Sequence, residues 1–317
     1  MTERTEAFTA HVCTVVLNWN RREDTLDCLA SLERMDHAEH QVIVVDNASS
    51  DGSAEAIAAT YPTVDVIQAG ANLGYAEGNN VGLHEAMQRG AEYVLILNND
   101  TVADSQMLTH LVAALEADKA IGAAGPTIYF HEAPDTIWSA GGRFDWRLGK
   151  PTLRGLRERD TGQFAAVTEV DYLPGSAVLV RREALEQVGG FDSRYFMYYE
   201  DNDWCFRAGR QGFAVVHVPE ARLWHKISLT QQFATPYISY YHARNRLLFL
   251  STAGAGHGTW ARAIVFDLLR SLASWTLLPR HRGKRAQRDA LWSGMWDYWR
   301  GRFGPYERWH EKGWAQG

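Results

Sequence analysis

Residues 93–101 read YVLILNNDT, an apolar run followed directly by two amides and a carboxylate. Such a run fits a buried strand that delivers its last side chains to one spot. In open α/β sheets, ligands bind outside the carboxyl ends of the strands, where the loops fan apart. That rule selects Asn18 after the first strand, Asp46 and Asn47 after the second, Asn72 to Gly74 after the third, and Asn98, Asn99 and Asp100 after the fourth. Asp and Asn also cap helices and tolerate tight turns, so any one of them is ambiguous. Four neighbouring strand ends that all carry groups able to bond a base, a ribose or a phosphate are a stronger signal. Asp100 differs in kind, because a carboxylate at the exit of a buried strand is a hard oxygen ligand suited to Mg²⁺ or Mn²⁺ carrying a diphosphate.

A second constellation is YFMYYEDNDWCFRAGRQGF, in which Glu200, Asp201 and Asp203 open a helix. The helix dipole there is expected to hold carboxylates ionised. Aromatic and apolar neighbours on both sides predict that the acids rim a cavity, where one could serve as general base for a hydroxyl nucleophile. Further on lies RLWHKIS. A histidine after a strand is more often a structural residue than a ligand, but a lone carboxylate is a poor metal site. His225 would supply a second protein ligand beside Asp100, with diphosphate oxygens completing the set.

These side chains need a scaffold. From residue 12 to 130, apolar runs of strand length (CTVVL, QVIVV, VDVIQ, YVLIL and a run near GPTIY) alternate with segments of helical spacing. The helical segments are REDTLDCLASLERM, SAEAIAAT, AEGNNVGLHEAMQRG and SQMLTHLVAALEA, with Asp51 and Asp104 as expected N-terminal caps. This alternation demands an α/β fold with a parallel sheet covered on both faces. Residues 131–167 exchange periodic runs for glycines, arginines and isolated aromatics, which predicts hairpins or a mobile excursion. A second ordered block follows, with strand-like SAVLV and FAVVHV and helix-like REALEQV, and from about residue 235 onward the sequence reads as helical.

Composition bounds the remainder. With 317 residues, 46% of them hydrophobic, the chain can build one large domain or two modest ones, and disorder as the main state is excluded. A formal charge of −6 without a global basic field argues against nucleic acid as a partner. Cys13, Cys28 and Cys205 are odd in number and lack metal-ligand spacing, so they read as core thiols in a reducing compartment. The start, MTERTEAFTA, has no secretory pattern, which predicts a cytoplasmic location. Asp267 and Arg270 interrupt the apolar stretch AIVFDLLRSLASWTLL, leaving it short of a membrane span but able to lie on a surface. The basic run RHRGKR and the tryptophans of LWSGMWDYWRGRFGPYERWHEKGW suit either peripheral contact with an anionic membrane or a homodimer through the C-terminal helices.

The motifs NWNRREDTLDCLASL, VVDNASSDGS, NLGYAEGNNVG, LILNNDT, PGSAVLVRREALEQVGGFD, FMYYEDNDWCFRAGRQG and LWHKIS, in that order, resemble the inverting family 2 glycosyltransferases of the GT-A fold, their rhamnosyltransferase-like branch above all. The resemblance covers about the first 250 residues. It implies a Rossmann-like, mostly parallel central sheet flanked by helices in a GT-A domain at 1–232, with a donor-binding half (11–130) and an acceptor and catalytic half (131–232). A helical, Trp-rich extension at 233–317 would follow.

The resemblance also implies roles. Asp46 would read the base, with Asn18, Asn72 and Gly74 lining the same pocket. Asn98 and Asn99 would contact the donor, and Asp100 would match the last acid of the DXD-type motif that holds Mg²⁺ or Mn²⁺. Asn98 stands where the first aspartate of that motif is usual. Asp201, with Glu200 beside it, would be the base, and His225 a second metal ligand. The implied reaction moves rhamnose or another hexose from a dTDP-, UDP- or GDP-linked donor to a glycan or lipid-linked acceptor of cell-surface polysaccharide, in the cytoplasm or peripherally at the inner face of the cell membrane. Residues 131–167 and the tail would form the acceptor site. Two competing readings stay open at this level: a nucleotidyltransferase, disfavoured because LNWNRRED lacks the glycines that handle a triphosphate, and a non-catalytic nucleotide-sugar or glycan-binding module.

Overall fold

The computed structural model describes residues 10–227 and 235–306. The polar N-terminal residues, the expected boundary at 232/233 and the end of the Trp-rich run beyond 306 lie outside them. Four strands, β1 (Val12–Asn18), β2 (His40–Asp46), β3 (Asp65–Gln68) and β4 (Tyr93–Asn98), lie parallel in the order β3-β2-β1-β4. They are joined by α1 (Arg22–Leu32), α2 (Ser53–Thr60) and α3 (Gly74–Gln88). Strand β4 is apolar without alternation because both faces are covered. Tyr93, Leu95 and Leu97 pack with α1 and α4 (Met107–Ala117), while Val94 and Ile96 pack on the other side with α3. Five buried side chains at about 1.5–3 kcal/mol each fix the register of this strand firmly.

The second block does not form a separate sheet. Strand β11 (Ala177–Arg181) inserts antiparallel between β4 and β6 (Ile121–Phe130), and β12 (Ala214–His225) pairs parallel to β6. The result is one ten-stranded sheet, mostly parallel on its main path, with β5 (Thr101–Ala103), β7 (Ala133–Ser139) and β10 (Thr168–Glu169) at its margins. Residues 131–167 are hairpins, as expected: β7 folds back on β6, and β8 (Gly142–Asp145) pairs with β9 (Lys150–Leu153). The three cysteines are free and buried.

Helices α5 (Arg182–Val188) and α6 (Glu200–Arg210) flank β11 and β12. A helical array follows: α7 (Pro236–Thr252), α8 (His257–Ala261), a π-helical stretch Arg262–Leu269, α9 (Arg270–Leu277) and α10 (Arg285–Trp299).

Two expected caps are corrected. Gly52 and Gln106 occupy the N-cap positions of α2 and α4. Asp51 and Asp104 act from just upstream, accepting hydrogen bonds from Ser53 N (3.1 Å) and Gln106 N (3.0 Å). A short carboxylate bonding backbone two residues on makes an Asx turn that leads into the helix rather than capping it.

Candidate functional site

Strand register alone aligns the polar ends, since Asn18 lies opposite Asp46 and Leu17 opposite Asn98. Asn18 is fully buried, and its amide donates to Asp46 Oδ1 (2.8 Å) and Ser49 Oγ (3.0 Å). Its oxygen accepts from Thr25 Oγ1 (2.7 Å) and Asn99 Nδ2 (3.2 Å), so its hydrogen-bonding capacity is filled. Asp46 is also buried, its other oxygen accepting from Ser49 N at 3.1 Å. Asn47 ties the next loop, donating to Asn72 Oδ1 and the Gly74 carbonyl, both at 3.1 Å, and accepting from Leu73 N at 2.8 Å. Gly74 has φ +79, and a β-carbon there would fall 2.5 Å from Phe196 Cδ2, so only glycine fits. These residues form a rigid floor.

Asp100 leaves that floor toward β12. The antiparallel pairing of β5 with β12 sets His225 opposite Thr101, which brings His225 Nε2 to 2.9 Å from Asp100 Oδ1. Arg21 approaches the other oxygen at 3.4 Å. Burial acts to raise the Asp100 carboxyl, but the His225 charge and hydrogen bond, with Arg21, outweigh it and hold the group below its usual 3.8. A carboxylate oxygen and an imidazole nitrogen side by side are a donor set that could hold a divalent metal. No group of three or more His, Cys, Asp or Glu that could hold a metal occurs among the described residues. A metal at this pair would therefore draw its remaining ligands from a bound diphosphate and water, which is normal for Mg²⁺.

The acid pair arrives from the opposite side of β4. Asn98 N donates to the Ser176 carbonyl (3.1 Å), and the adjacent Gly175 N donates to Asp201 Oδ2 (3.1 Å). A single loop thus links the end of β4 to Asp201. The Tyr75 phenol, which donates to the Gly175 carbonyl at 2.5 Å, is pushed well above its ordinary value by burial and by the charges of Glu200, Asp201 and Asp100. All three carboxylates therefore act on one phenol.

The expectation that the helix dipole sets the charge balance is corrected at Glu200 and Asp201. Burial raises Asp201 above 3.8 even though Asn202 N and Nδ2 (both 2.7 Å) and Gly175 N donate to it. Burial, then the Asp201 charge, pushes Glu200 well above its usual range. Desolvation exceeds the dipole because the first turn is sealed from water. Asp203 is closed off, accepting from Arg207 Nε (2.7 Å) and the Tyr195 phenol Oη (3.2 Å). Only Asp201 of the three remains partly exposed.

Several buried polar atoms in this region lack a hydrogen-bond partner among the described residues: Asn98 Oδ1, Ser176 Oγ, Glu200 Oε2, Asn202 Oδ1 and His225 Nδ1. Unpaired buried polar groups are costly, and their concentration on one site marks it as built to receive polar ligand atoms.

Sequence reasoning missed the residues that shape the turn before α6. Phe196, Tyr198 and Tyr199 all have positive φ (64, 66 and 74°), a strained state for aromatic residues. The turn is held from α7. Asn245 Nδ2 lies within hydrogen-bond reach of the carbonyls of Tyr195 (2.9 Å), Met197 (2.7 Å) and Tyr198 (2.8 Å). The fully buried Arg244 donates to the Tyr195 carbonyl (2.7 Å) and braces Asn245 Oδ1 (2.9 Å). The available signal was ARNR inside the apolar helix YYHARNRLLFL, since buried cations need dedicated partners. Asn245→Leu should therefore lower unfolding stability by about 2–4 kcal/mol, measured in urea, because it leaves these carbonyls unpaired. A loss under 0.5 kcal/mol would remove the clamp.

The first amides of α3, Tyr75 N (2.6 Å) and Ala76 N (3.0 Å), donate to the Phe196 carbonyl. That helix end is thus engaged by the chain itself. On the far side of α6 lies a cavity of ≈ 280 Å³, whose walls include Phe144, Trp146, Asn202, Phe206 and Phe249. Residues of the 131–167 segment and of α7 meet there, one residue from Asp201.

Comparison with known proteins bears on this geometry. Residues 10–245 match the family described as glycosyltransferase like family 2. The chain is 31% identical over 290 residues to the N-acetylglucosaminyl-diphospho-decaprenol L-rhamnosyltransferase of Mycobacterium tuberculosis, covering 83% of this chain and 91% of that protein. It is 23% identical to the dTDP-rhamnosyl transferase RfbF of Shigella flexneri, covering 83% and 87%. Among solved structures, the mannosyltransferase PcManGT from Pyrobaculum calidifontis in complex with GDP-Man and Mn²⁺ is similar with a TM-score of 0.58 at 18% identity, covering 92% of this chain and 88% of that one.

Proposed function

Since the chain belongs to glycosyltransferase family 2 and has the GT-A fold, we propose that it transfers rhamnose or another hexose from a nucleotide-diphosphate donor to a hydroxyl of a glycan or lipid-linked acceptor, with inversion. The observation that carries this reading is the Asp100–His225 pair at the exit of β4, with a partly exposed Asp201 tied to the same strand end through Gly175 and Ser176.

Asp201 takes the proton of the acceptor hydroxyl as its oxygen attacks the anomeric carbon from the face opposite the leaving diphosphate. One displacement suffices, so no second nucleophilic carboxylate is required. Burial, then the Asp201 charge, favours the neutral form of Glu200, so the partly exposed Asp201 is the better base of the two. Asp100 and His225 would hold the divalent metal, which when bound neutralises charge on the departing diphosphate. Arg21, its side chain 57% exposed and beside Asp100, adds a mobile cation for the same charge. Asn98, Asn99, Asn72 and Gly74 line the donor seat. Asn18 orients Asp46, whose carboxylate accepts from Asn18 and Ser49 and keeps acceptor capacity to read the base.

Two relatives named as rhamnosyltransferases support dTDP-rhamnose as donor and a lipid diphosphate-linked sugar as acceptor. Peripheral contact at the inner face of the cell membrane belongs to this reading, because a lipid-linked acceptor is held in the bilayer. Thermal unfolding with a panel of dTDP-, UDP- and GDP-sugars tests it. At about 100 times Kd, the right donor adds about 2.7 kcal/mol, or roughly 5 °C for a chain of this size, and only with Mn²⁺ present. A panel that produces no shift with Mn²⁺ would sink the donor assignment.

A further inference from the structure

We infer that the outer face of the C-terminal helices, residues 262–299, is a docking surface for an anionic lipid bilayer on which the chain lies without crossing it. This rests on the proposed reading only for its purpose, which is to bring the site to a lipid-held acceptor. Its evidence is a surface of its own.

Of the thirteen large apolar side chains exposed among the described residues, eight fall between 265 and 299. Phe266, Leu269, Ala273 and Leu277 recur at helical spacing and are all exposed, with Phe266 at 63% and Leu277 at 74%. The opposite side of the same segment is apolar too, since Leu268, Leu272 and Trp275 pack against Leu247, Leu291 and Met295. A helix apolar on both sides with only one side packed needs a second apolar partner. Helix α10, which packs against α9, leaves a similar stripe open at Trp292, Trp296 and Trp299.

Charge identifies that partner. Residues 257–306 carry nine Lys and Arg against three Asp, a net of +6, which leaves −12 on the rest of a chain whose total is −6. The three acids are engaged, Asp267 by Arg246, Asp289 by Arg288 and Asp297 by the Tyr240 hydroxyl. Arg270, Arg280, Arg282, Lys284 and Arg285 are exposed around the apolar stripe. Aromatic and aliphatic side chains ringed by cations match an acyl and headgroup boundary bearing negative charge. A symmetric dimer through this face would set two such positive patches against each other. No described helix is long and apolar enough to cross a membrane, which agrees with lying flat.

The test is co-sedimentation of the full chain with vesicles of phosphatidylcholine alone or equimolar with phosphatidylglycerol. Binding to the anionic vesicles at low salt is expected, falling at least ~10-fold in about 0.5 M salt. Phe266→Asp with Leu277→Asp should weaken it ~10-fold even at low salt, and Arg280→Glu, Arg282→Glu and Lys284→Glu together should do the same. Because all five residues are exposed, circular dichroism should show an unchanged fold. Absence of binding to anionic vesicles at low salt overturns the inference, as does binding that neither set of substitutions alters. A dimer that the Asp substitutions convert to monomer while vesicle binding stays constant also overturns it, by giving the face to a second copy. Donor stabilisation with Mn²⁺ is read separately on every variant. Its failure with vesicle binding intact would sink the substrate reading and leave this surface standing.

Discussion

Asp201→Asn is expected to lower turnover by about 10²–10⁴-fold, the usual range for a positioned general base, while calorimetry shows nucleotide-sugar binding unchanged. The substitution keeps size and polarity, so the loss isolates the carboxylate. Burial raises Asp201 above 3.8 in the folded chain. The active form is the ionised one, so the wild-type rate falls as pH drops through that raised value. A group raised in the fold stabilises below its unfolded pKa, and this contribution is lost as pH rises through its folded pKa. At neutral pH the ionised carboxylate therefore costs stability, and Asn at this position should cost little, within about 1 kcal/mol, by the same linkage. A variant with normal turnover, or with turnover lost only because it unfolds, would remove Asp201 from the role of base.

Asp100→Ala carries the other large effect. Removing it leaves His225, which is 5% exposed, without the carboxylate at 2.9 Å, and releases Arg21. Transfer should fall by at least about 10³-fold, and the Mn²⁺-dependent part of donor stabilisation should disappear. The fold should survive, because the side chain sits at a strand exit and the apolar run 93–97 behind it is untouched. Wild-type activity in saturating Mn²⁺ would show the assignment to be wrong. The two variants separate the halves of the site: the first loses rate with donor binding intact, and the second loses metal-linked binding as well.

Much of this was legible in the residue order. The strands CTVVL, QVIVV and YVLIL announce themselves because a sheet covered on both faces favours unbroken apolar runs. Once they are parallel, the polar residues that end them must gather along one edge, so Asn18, Asp46, Asn98 and Asp100 were placed by pattern alone. What pattern could not give was how they bond to one another. Asn18 reaches Asp46, Thr25 and Asn99, partners 7 to 81 residues away in sequence. Local spacing carries no information about such partners.

The same limit explains the acid pair and its clamp. Sequence gave three acids at a helix start, and the dipole predicted charged groups; burial by β11, α3 and α7 reversed the balance and left only Asp201 partly open. The strained turn at 196–199 depends on Asn245 and Arg244, about fifty residues on, in a helix whose ARNR run shows that partners are needed but not which. Strand and helix type follow from short-range periodicity, so the chain's order determined the elements and the edge where chemistry would occur. Orientation, desolvation and pairing depend on which distant segments come together, and only the tertiary structure decided them.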